Sequence, residues 1–296
     1  MRVLMVSNAS SGRGRAAAAR ARCVTELVDA GMHVGELPLD ATEAEWRAAI
    51  DSAGAVVAVG GDGTVRSVAS RLRGTRVPLA IVPSGTENLA AREFGFHRPR
   101  TRIADALRRG RVRDCDLGRV CRAGAPDHAF LVMASAGLDA DVVAEVAAHR
   151  TGPIWHGSYL GPMVRACRAW QPAKLEAAGA GDARILGRGQ LVVANARQYA
   201  MRLDPARTAD PSDGALDAVL LTARGWPDMV RWAIRLAVST GAVEGLRCGR
   251  SPRWRVRFER PVLLQADGDP LPGGPTAEVE LRVDAGALAV VDMRPE

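Results

Sequence analysis

Val56-Val57-Ala58-Val59-Gly60-Gly61-Asp62-Gly63-Thr64 decides the reading of this chain: an apolar strand runs into a glycine-rich turn that carries one carboxylate. The apolar run 55–59 reads as a parallel strand covered on both faces. Gly60, Gly61 and Gly63 are expected to let the backbone take φ > 0 and bring its N–H groups close to an anion, with no side chain in the way. Asp62 then places a charge at the carboxyl end of the strand, where open α/β sheets bind their ligands. Beside phosphates, a carboxylate makes chemical sense when it holds Mg²⁺ or a water on Mg²⁺. Thr64 is expected to cap the helix that follows. The competing structural reading is a glycine-rich αL turn with Asp62 as a helix N-cap.

Two further strand–loop–helix units support a nucleotide site. Residues 79–82 form a short apolar strand, followed by Pro83-Ser84-Gly85-Thr86-Glu87-Asn88 and a helical stretch. At the start, a strand over 3–6 leads into a small polar loop with Asn8, Ser10, Ser11, Gly12 and Gly14, then a helix over 16–30. Strands near 3–6, 33–38, 55–59, 79–82 and 112–116 alternate with helices, the pattern of a parallel sheet. After Gly118 strands dominate, so a domain boundary is expected there: residues 1–117 form an α/β nucleotide-binding domain and 118–287 a mostly antiparallel, β-rich substrate domain. A last strand over 288–292 is expected to return to the first domain. The crevice between the domains is the expected site.

Together these residues resemble the diacylglycerol kinase catalytic family, bacterial lipid kinases related to sphingosine and ceramide kinases. Asn8 to Gly12 resembles the family's Asn-Pro-x-x-Gly, Gly60 to Thr64 its Gly-Gly-Asp-Gly-Thr, and Pro83 to Asn88 its Pro-x-Gly-Thr-x-Asn. Asp116-Leu117-Gly118, the Gly-x-Asp turn ending at Asp139, Gly161-Pro162, Asp213-Gly214-Ala215-Leu216-Asp217 and Asp267-Gly268-Asp269 resemble later elements in the family's order. Three positions depart from the pattern: Ala9 replaces a proline, Leu89 an aspartate and Ser67 a glutamate. Asp269 stands where the family carries a glutamate that takes the proton from the lipid hydroxyl, and its side chain is one methylene shorter.

The resemblance implies a NAD kinase/diacylglycerol kinase-like α/β domain followed by a β-sandwich. It also implies ATP-dependent phosphoryl transfer to a lipid hydroxyl, with diacylglycerol giving phosphatidic acid. ATP would lie along Asn8, Ala9, Ser10, Ser11 and Gly12 and along Gly60, Gly61, Asp62, Gly63 and Thr64, with Gly85, Thr86 and Asn88 beside it. Asp62 would order Mg²⁺, with Asp116 assisting through water, and Asp269 would be the catalytic base. A second, structural metal is carried by members of the family at the turn that here holds Ser212, Asp213, Leu216 and Asp217. Other readings stay open: a kinase for a sphingoid base, ceramide or another lipid-like alcohol, a NAD kinase-like enzyme, or a catalytically weak lipid-binding protein.

Composition excludes several rivals. With hydrophobic residues at 47% of 296, the chain has enough apolar material for a real core and does not read as disordered. Cys23, Cys115, Cys121, Cys167 and Cys248 show no C-x-x-C spacing, so neither a zinc site nor a disulfide framework is suggested. Lys174 is the single lysine among 40 basic residues, which removes a Walker A loop and a protein-kinase strand lysine. Arg13, Arg15, Arg66 and Arg92 lie beside the loops instead.

The net charge of +7 asks for an anionic partner. Residues 154–170 and 226–236 read as helices that mix aromatic, apolar and basic residues, which suits a membrane interface or, alternatively, an apolar stripe packed on the core. No nucleic-acid motif is visible, and nucleic acid is not an expected partner. The alternation of Arg253, Arg255 and Arg257 with Trp254, Val256 and Phe258 reads as an antiparallel strand with one wet face. No stretch of about 18 apolar residues appears, and the expectation is a cytoplasmic protein peripheral to the inner membrane face, with a homodimer as an expected assembly.

Overall fold

The computed structural model describes residues 1–7, 15–97, 102–109, 111–149, 160–239, 241 and 243–294. The chain divides into two compact units, Met1–Cys115 with Gly286–Glu296, and Asp116–Ala285.

In the first unit the elements are β1 (Arg2–Ser7), α1 (Arg15–Asp29), β2 (His33–Pro38), α2 (Glu43–Asp51), β3 (Ala55–Gly60), α3 (Asp62–Leu72), β4 (Leu79–Pro83), α4 (Leu89–Glu93) and α5 (Ile103–Arg109). β5 (Val112–Cys121) carries the chain into the second unit. Strands β2, β1, β3 and β4 pair side by side, all parallel, with Leu4 opposite Val56 and Val57 opposite Ala80. Every residue of β3 is buried, as an apolar strand covered on both faces requires. Full burial of a valine such as Val57 contributes about 1.5–3 kcal/mol. Helix α2 starts at a capping box, in which Thr42 and Glu45 satisfy each other's backbone N–H groups, and it buries Trp46 and Ile50.

The second unit holds β6 (His128–Phe130), β7 (Met133–Ala136), α6 (Leu138–Ala148), α7 (Leu160–Ala169), β8 (Lys174–Ala178), β9 (Arg184–Ala194), β10 (Leu216–Thr222), α8 (Trp226–Val238), β11 (Arg247–Ser251), β12 (Arg253–Val262), β13 (Leu264–Ala266) and β14 (Asp269–Pro270). It also holds the first part of β15 (Thr276–Val291). One antiparallel ladder runs β14-β13-β7-β9-β10-β11, and another runs β9-β8-β12-β15. β9 belongs to both and turns the corner at Gly189. There φ is +147°, and a Cβ would stand 2.0 Å from the Leu221 carbonyl oxygen, so only glycine fits. Between the ladders lies a core with Phe130, Ile185, Leu216, Trp254 and Val256, and Trp254 Nε1 donates to the Leu216 carbonyl at 3.0 Å.

The fold is thus the expected α/β parallel sheet plus antiparallel β-sandwich. On β12, Trp254, Val256 and Phe258 point inward while the arginines between them face out, and Arg257 pairs with Glu278 at 3.3 Å. The stretch 178–189 is a hairpin, with Ala178 opposite Arg184. Two expectations change. Residues 288–292 return to the first unit as expected, with Val290 parallel to Leu79, but they are not a separate strand: Leu288 to Val291 end β15, a single strand of 16 residues. The expected helix 154–170 is α7 from Leu160 onward, and residues 154–159 lie outside the described residues.

Beyond β15 the chain is tied to the first unit by charge. Arg294 donates to the buried Glu93 at 3.1 Å and to Asp292 at 2.7 Å. Partial burial works to raise the Asp292 carboxyl, but hydrogen bonds from the Arg294 side chain and backbone win and hold it below the usual carboxylate range.

Candidate functional site

β3 ends at Gly60 and α3 begins at Asp62, leaving Gly61 as the N-cap between them. Gly61 has φ −91° and ψ −174°, extended backbone open to any residue, and the positive-φ glycines among the described residues do not include Gly60 or Gly63. The expectation of left-handed glycines here is overturned, because these glycines answer to space instead. A Cβ on Gly85 would stand 2.7 Å from Gly61 Cα, and one on Gly60 would stand 2.4 Å from the Thr64 side chain. The loops that follow β3 and β4 are pressed backbone against backbone. Thr64 does not cap α3 either: it lies buried in the first turn, against Gly60.

Asp62 crosses from one loop to the other. Its Oδ1 accepts a hydrogen bond from the Ala90 N–H at 3.0 Å, at the N-terminus of α4, where a negative charge is favoured. The Asn88 backbone is left-handed, with φ 51°. Its side chain closes its own loop, with Oδ1 accepting from the Gly85 N–H at 2.8 Å and Nδ2 donating to the Gly85 carbonyl at 2.9 Å. Thr86 is half-buried on the same loop, and Arg92 pairs with Glu87 at 3.6 Å. Asn8, Ala9, Ser10, Ser11, Gly12 and Arg13 lie outside the described residues.

A nucleotide carrying Mg²⁺ suits this geometry. Among the described residues no three His, Cys, Asp or Glu side chains converge as a metal cage. A Mg²⁺ held mainly by phosphates and waters needs only one or two carboxylates.

In the second unit, Asp116 is 2% exposed. Its Oδ2 accepts from the Gly214 N–H at 2.7 Å, and its own N–H donates to the Pro211 carbonyl at 2.6 Å, so it braces the turn that carries Asp213. Asp213 forms an ion pair with Arg250 and accepts from the Ala215 N–H. Asp217 is buried and accepts from Thr208 Oγ1 at 3.0 Å; burial pushes its carboxyl up, against the Thr208 bond and the Arg250 charge.

The Asp-Gly-Asp turn separates its two carboxylates. Asp267 is buried at φ 47°, and its oxygens accept from three consecutive backbone N–H groups, Leu131 at 2.7 Å, Val132 at 2.9 Å and Met133 at 3.0 Å. Asp269 opens β14 opposite Ala266 and is half-buried.

Sequence reasoning missed the polar network under this turn. Asp139 accepts from Ser135 Oγ at 2.6 Å and from the Tyr199 hydroxyl at 2.7 Å. Gln190 Nε2 donates to that hydroxyl at 2.8 Å, and Gln265 Nε2 donates to Ser135 Oγ at 2.6 Å. Gln265 Oε1 accepts from the Gly268 N–H at 2.9 Å, one residue before Asp269. Burial raises the Asp139 carboxyl and holds Tyr199 well above the ordinary phenol value. A cavity of about 230 Å³ is lined by Trp170, Phe258, Val262, Asp141 and Arg260 among others. Burial, then the charge of Asp139, pushes Asp141 up to about 6 against the opposing charge of Arg260. Only the Gly-x-Asp spacing of Gly137 and Asp139 signalled any of this, since Tyr199, Gln190 and Gln265 come from distant strands and loops.

Comparison with known proteins follows the same division. Residues 2–120 match the family model described as the diacylglycerol kinase catalytic domain, and residues 132–292 match the YegS C-terminal NAD kinase beta sandwich-like domain. The chain belongs to this diacylglycerol kinase-like family of lipid kinases. A diacylglycerol kinase of Mycobacterium tuberculosis is 30% identical over 225 residues, covering 74% of this chain and 72% of the relative. A diacylglycerol kinase of Bacillus subtilis is 32% identical over 126 residues, covering 40% and 42%. A crystal structure of a diacylglycerol kinase from Bacillus anthracis superposes with a TM-score of 0.68 over 98% of this chain and 96% of that one; at 15% identity this is a likeness of fold.

Proposed function

We propose that the chain is an ATP-dependent lipid kinase that transfers the γ-phosphoryl group to a lipid hydroxyl, with diacylglycerol as acceptor and phosphatidic acid as product. The observation that carries this reading is the backbone contact between Gly61 and Gly85, bridged by Asp62. It brings the glycine backbones of two strand-end loops together, a place where main-chain N–H groups can meet an anion. When bound, ATP with Mg²⁺ supplies the phosphoryl group and neutralises its charge. Asp62 orients the charged end of the nucleotide. Asp269 accepts the proton of the acceptor hydroxyl, on a turn that Asp267 anchors and Gln265 holds through Gly268.

The cavity beside Asp141 supports an amphipathic acceptor in the second unit, since its walls combine Trp170, Phe258 and Val262 with the polar Asp141, Gln171 and Arg260. Among the described residues no helix is long and apolar enough to cross a membrane, and the proposed working place is the membrane surface, approached from the cytoplasm.

The test is transfer of labelled γ-phosphate from ATP with Mg²⁺ to mixed micelles of diacylglycerol, ceramide, sphingoid base or monoacylglycerol, beside NAD. Labelled phosphatidic acid is the expected product. Label in another lipid replaces the acceptor, and label only in NADP, or in no acceptor, overturns the proposal.

A further inference from the structure

Helix α8 is apolar on two faces. Inward, Trp232 and Leu236 pack with Leu221, supported by Leu203, Met229, Val243 and Leu246, and Trp232 Nε1 donates to the Thr222 carbonyl at 2.8 Å. Outward, at steps of four residues along one side, stand Trp226 at 46% exposure, Val230 at 47%, Ile234 at 58% and Val238 at 75%. A surface helix ordinarily turns polar residues to water on that side. The exposed Arg224, Arg231 and Arg235 line one edge of the stripe. Arg235 also stacks 4.9 Å from the Trp232 ring centre. The one carboxylate of the helix, Asp228, is already engaged by Arg231 at 2.6 Å and the Arg224 N–H at 2.8 Å.

We infer that the outer face of α8 docks on an anionic lipid bilayer, lying in the plane of the headgroups with Trp226, Val230, Ile234 and Val238 immersed and the arginines on lipid phosphates. Charge complementarity selects this occupant. An arginine edge beside an apolar stripe suits an anionic interface, where each basic residue adds attraction and the apolar side chains leave water. The net charge of +7 acts in the same direction. A second copy of the chain in a twofold contact brings the same patch against itself, arginine edge included, and like charges oppose that. The inference rests on the lipid-kinase reading for its purpose, but its test contains no nucleotide and no acceptor, so the two fail separately.

The experiment is sedimentation of the full chain with vesicles of phosphatidylcholine alone or mixed with phosphatidylglycerol, comparing wild type with the double variant Val230→Glu/Ile234→Glu. Leu186→Glu, at an exposed apolar site on β9, serves as the control. Binding to the mixed vesicles is expected to fall at least about tenfold in the double variant, stay within about twofold in the control, and weaken on phosphatidylcholine alone. With brominated lipids, Trp fluorescence of the wild type is expected to be quenched and the effect to shrink in Trp226→Phe, a readout that survives if the double variant folds poorly. Unchanged binding of a folded double variant, or no quenching of Trp226, overturns the inference. So does a wild-type dimer in sedimentation velocity that the double variant converts to monomer, since that names a second copy as the occupant.

Discussion

Asp62 and Asp267 are both aspartates flanked by glycine at the end of a strand, yet the structure uses them in opposite ways. Asp267 is consumed by the scaffold, its two oxygens accepting from Leu131, Val132 and Met133. Asp62 instead reaches from one loop to the next and accepts from the Ala90 N–H at the start of a helix, where the glycines of two loops press together. In the Asp-Gly-Asp turn this division of labour is compressed into three residues, with Asp267 anchoring and Asp269 left half-exposed. A carboxylate that gathers three consecutive backbone donors is a structural part, whereas one placed at a strand-end loop beside a helix N-terminus stands where charge chemistry is favoured.

The sharpest way to break this comparison is Asp267→Ala. It leaves three backbone N–H groups without their acceptor, and a loss of about 3–5 kcal/mol is expected in urea unfolding; a loss under about 1 kcal/mol would show that the anchor is dispensable. Asp62→Asn should do the reverse. Its amide oxygen can still accept from Ala90, so stability should move by less than about 1 kcal/mol, while phosphoryl transfer falls by about 10²–10³-fold, readable in the labelled-ATP assay. Asp269→Asn is expected to lower kcat by about 10²-fold or more with an unchanged melting temperature; recovery in Asp269→Glu would show that reach, not charge alone, governs the step.

The smallest effect is expected at Asp141. A carboxyl pushed up to about 6 ionises later in the folded chain than in the unfolded one, so the wild type loses stability as pH rises from about 4 to 6 and stays at that lower level above. Asp141→Asn removes that loss. It should therefore be more stable than wild type by roughly 1–2 kcal/mol at pH 8, after allowance for solvent screening, and equal to it below about pH 4. Melting curves across that range check the sign.

Most of the fold was legible because its strands announce themselves. An all-apolar β3 and a β12 that alternates arginine with Trp254, Val256 and Phe258 have one sensible burial each. The glycines around Asp62 were legible as a site but not as geometry: sequence shows that a side chain is missing, and only the fold shows that Gly85 occupies the space. Thr64 misled for a related reason, since the helix begins three residues earlier than a Thr64 cap implies. The network of Asp139, Tyr199, Gln190 and Gln265 was out of reach, because its members share no local pattern and come together only when a helix, a loop and two strands pack. Helix α8 was read as a choice between core and interface, and the structure shows Trp232 turned inward and Trp226 outward.

β15 carries a consequence for how the protein is made. The first unit takes its last strand from residues that follow the whole second unit, with Val290 against Leu79 and Arg294 against the buried Glu93. On the ribosome, β1 to β4 must therefore wait through nearly the entire synthesis of the chain before their sheet acquires its neighbour. A message broken anywhere in the second unit yields a first unit with an exposed strand edge and a buried glutamate lacking its arginine, the kind of defect that cellular proteases recognise. Completion of the first unit is in this way a checkpoint on translation of the second.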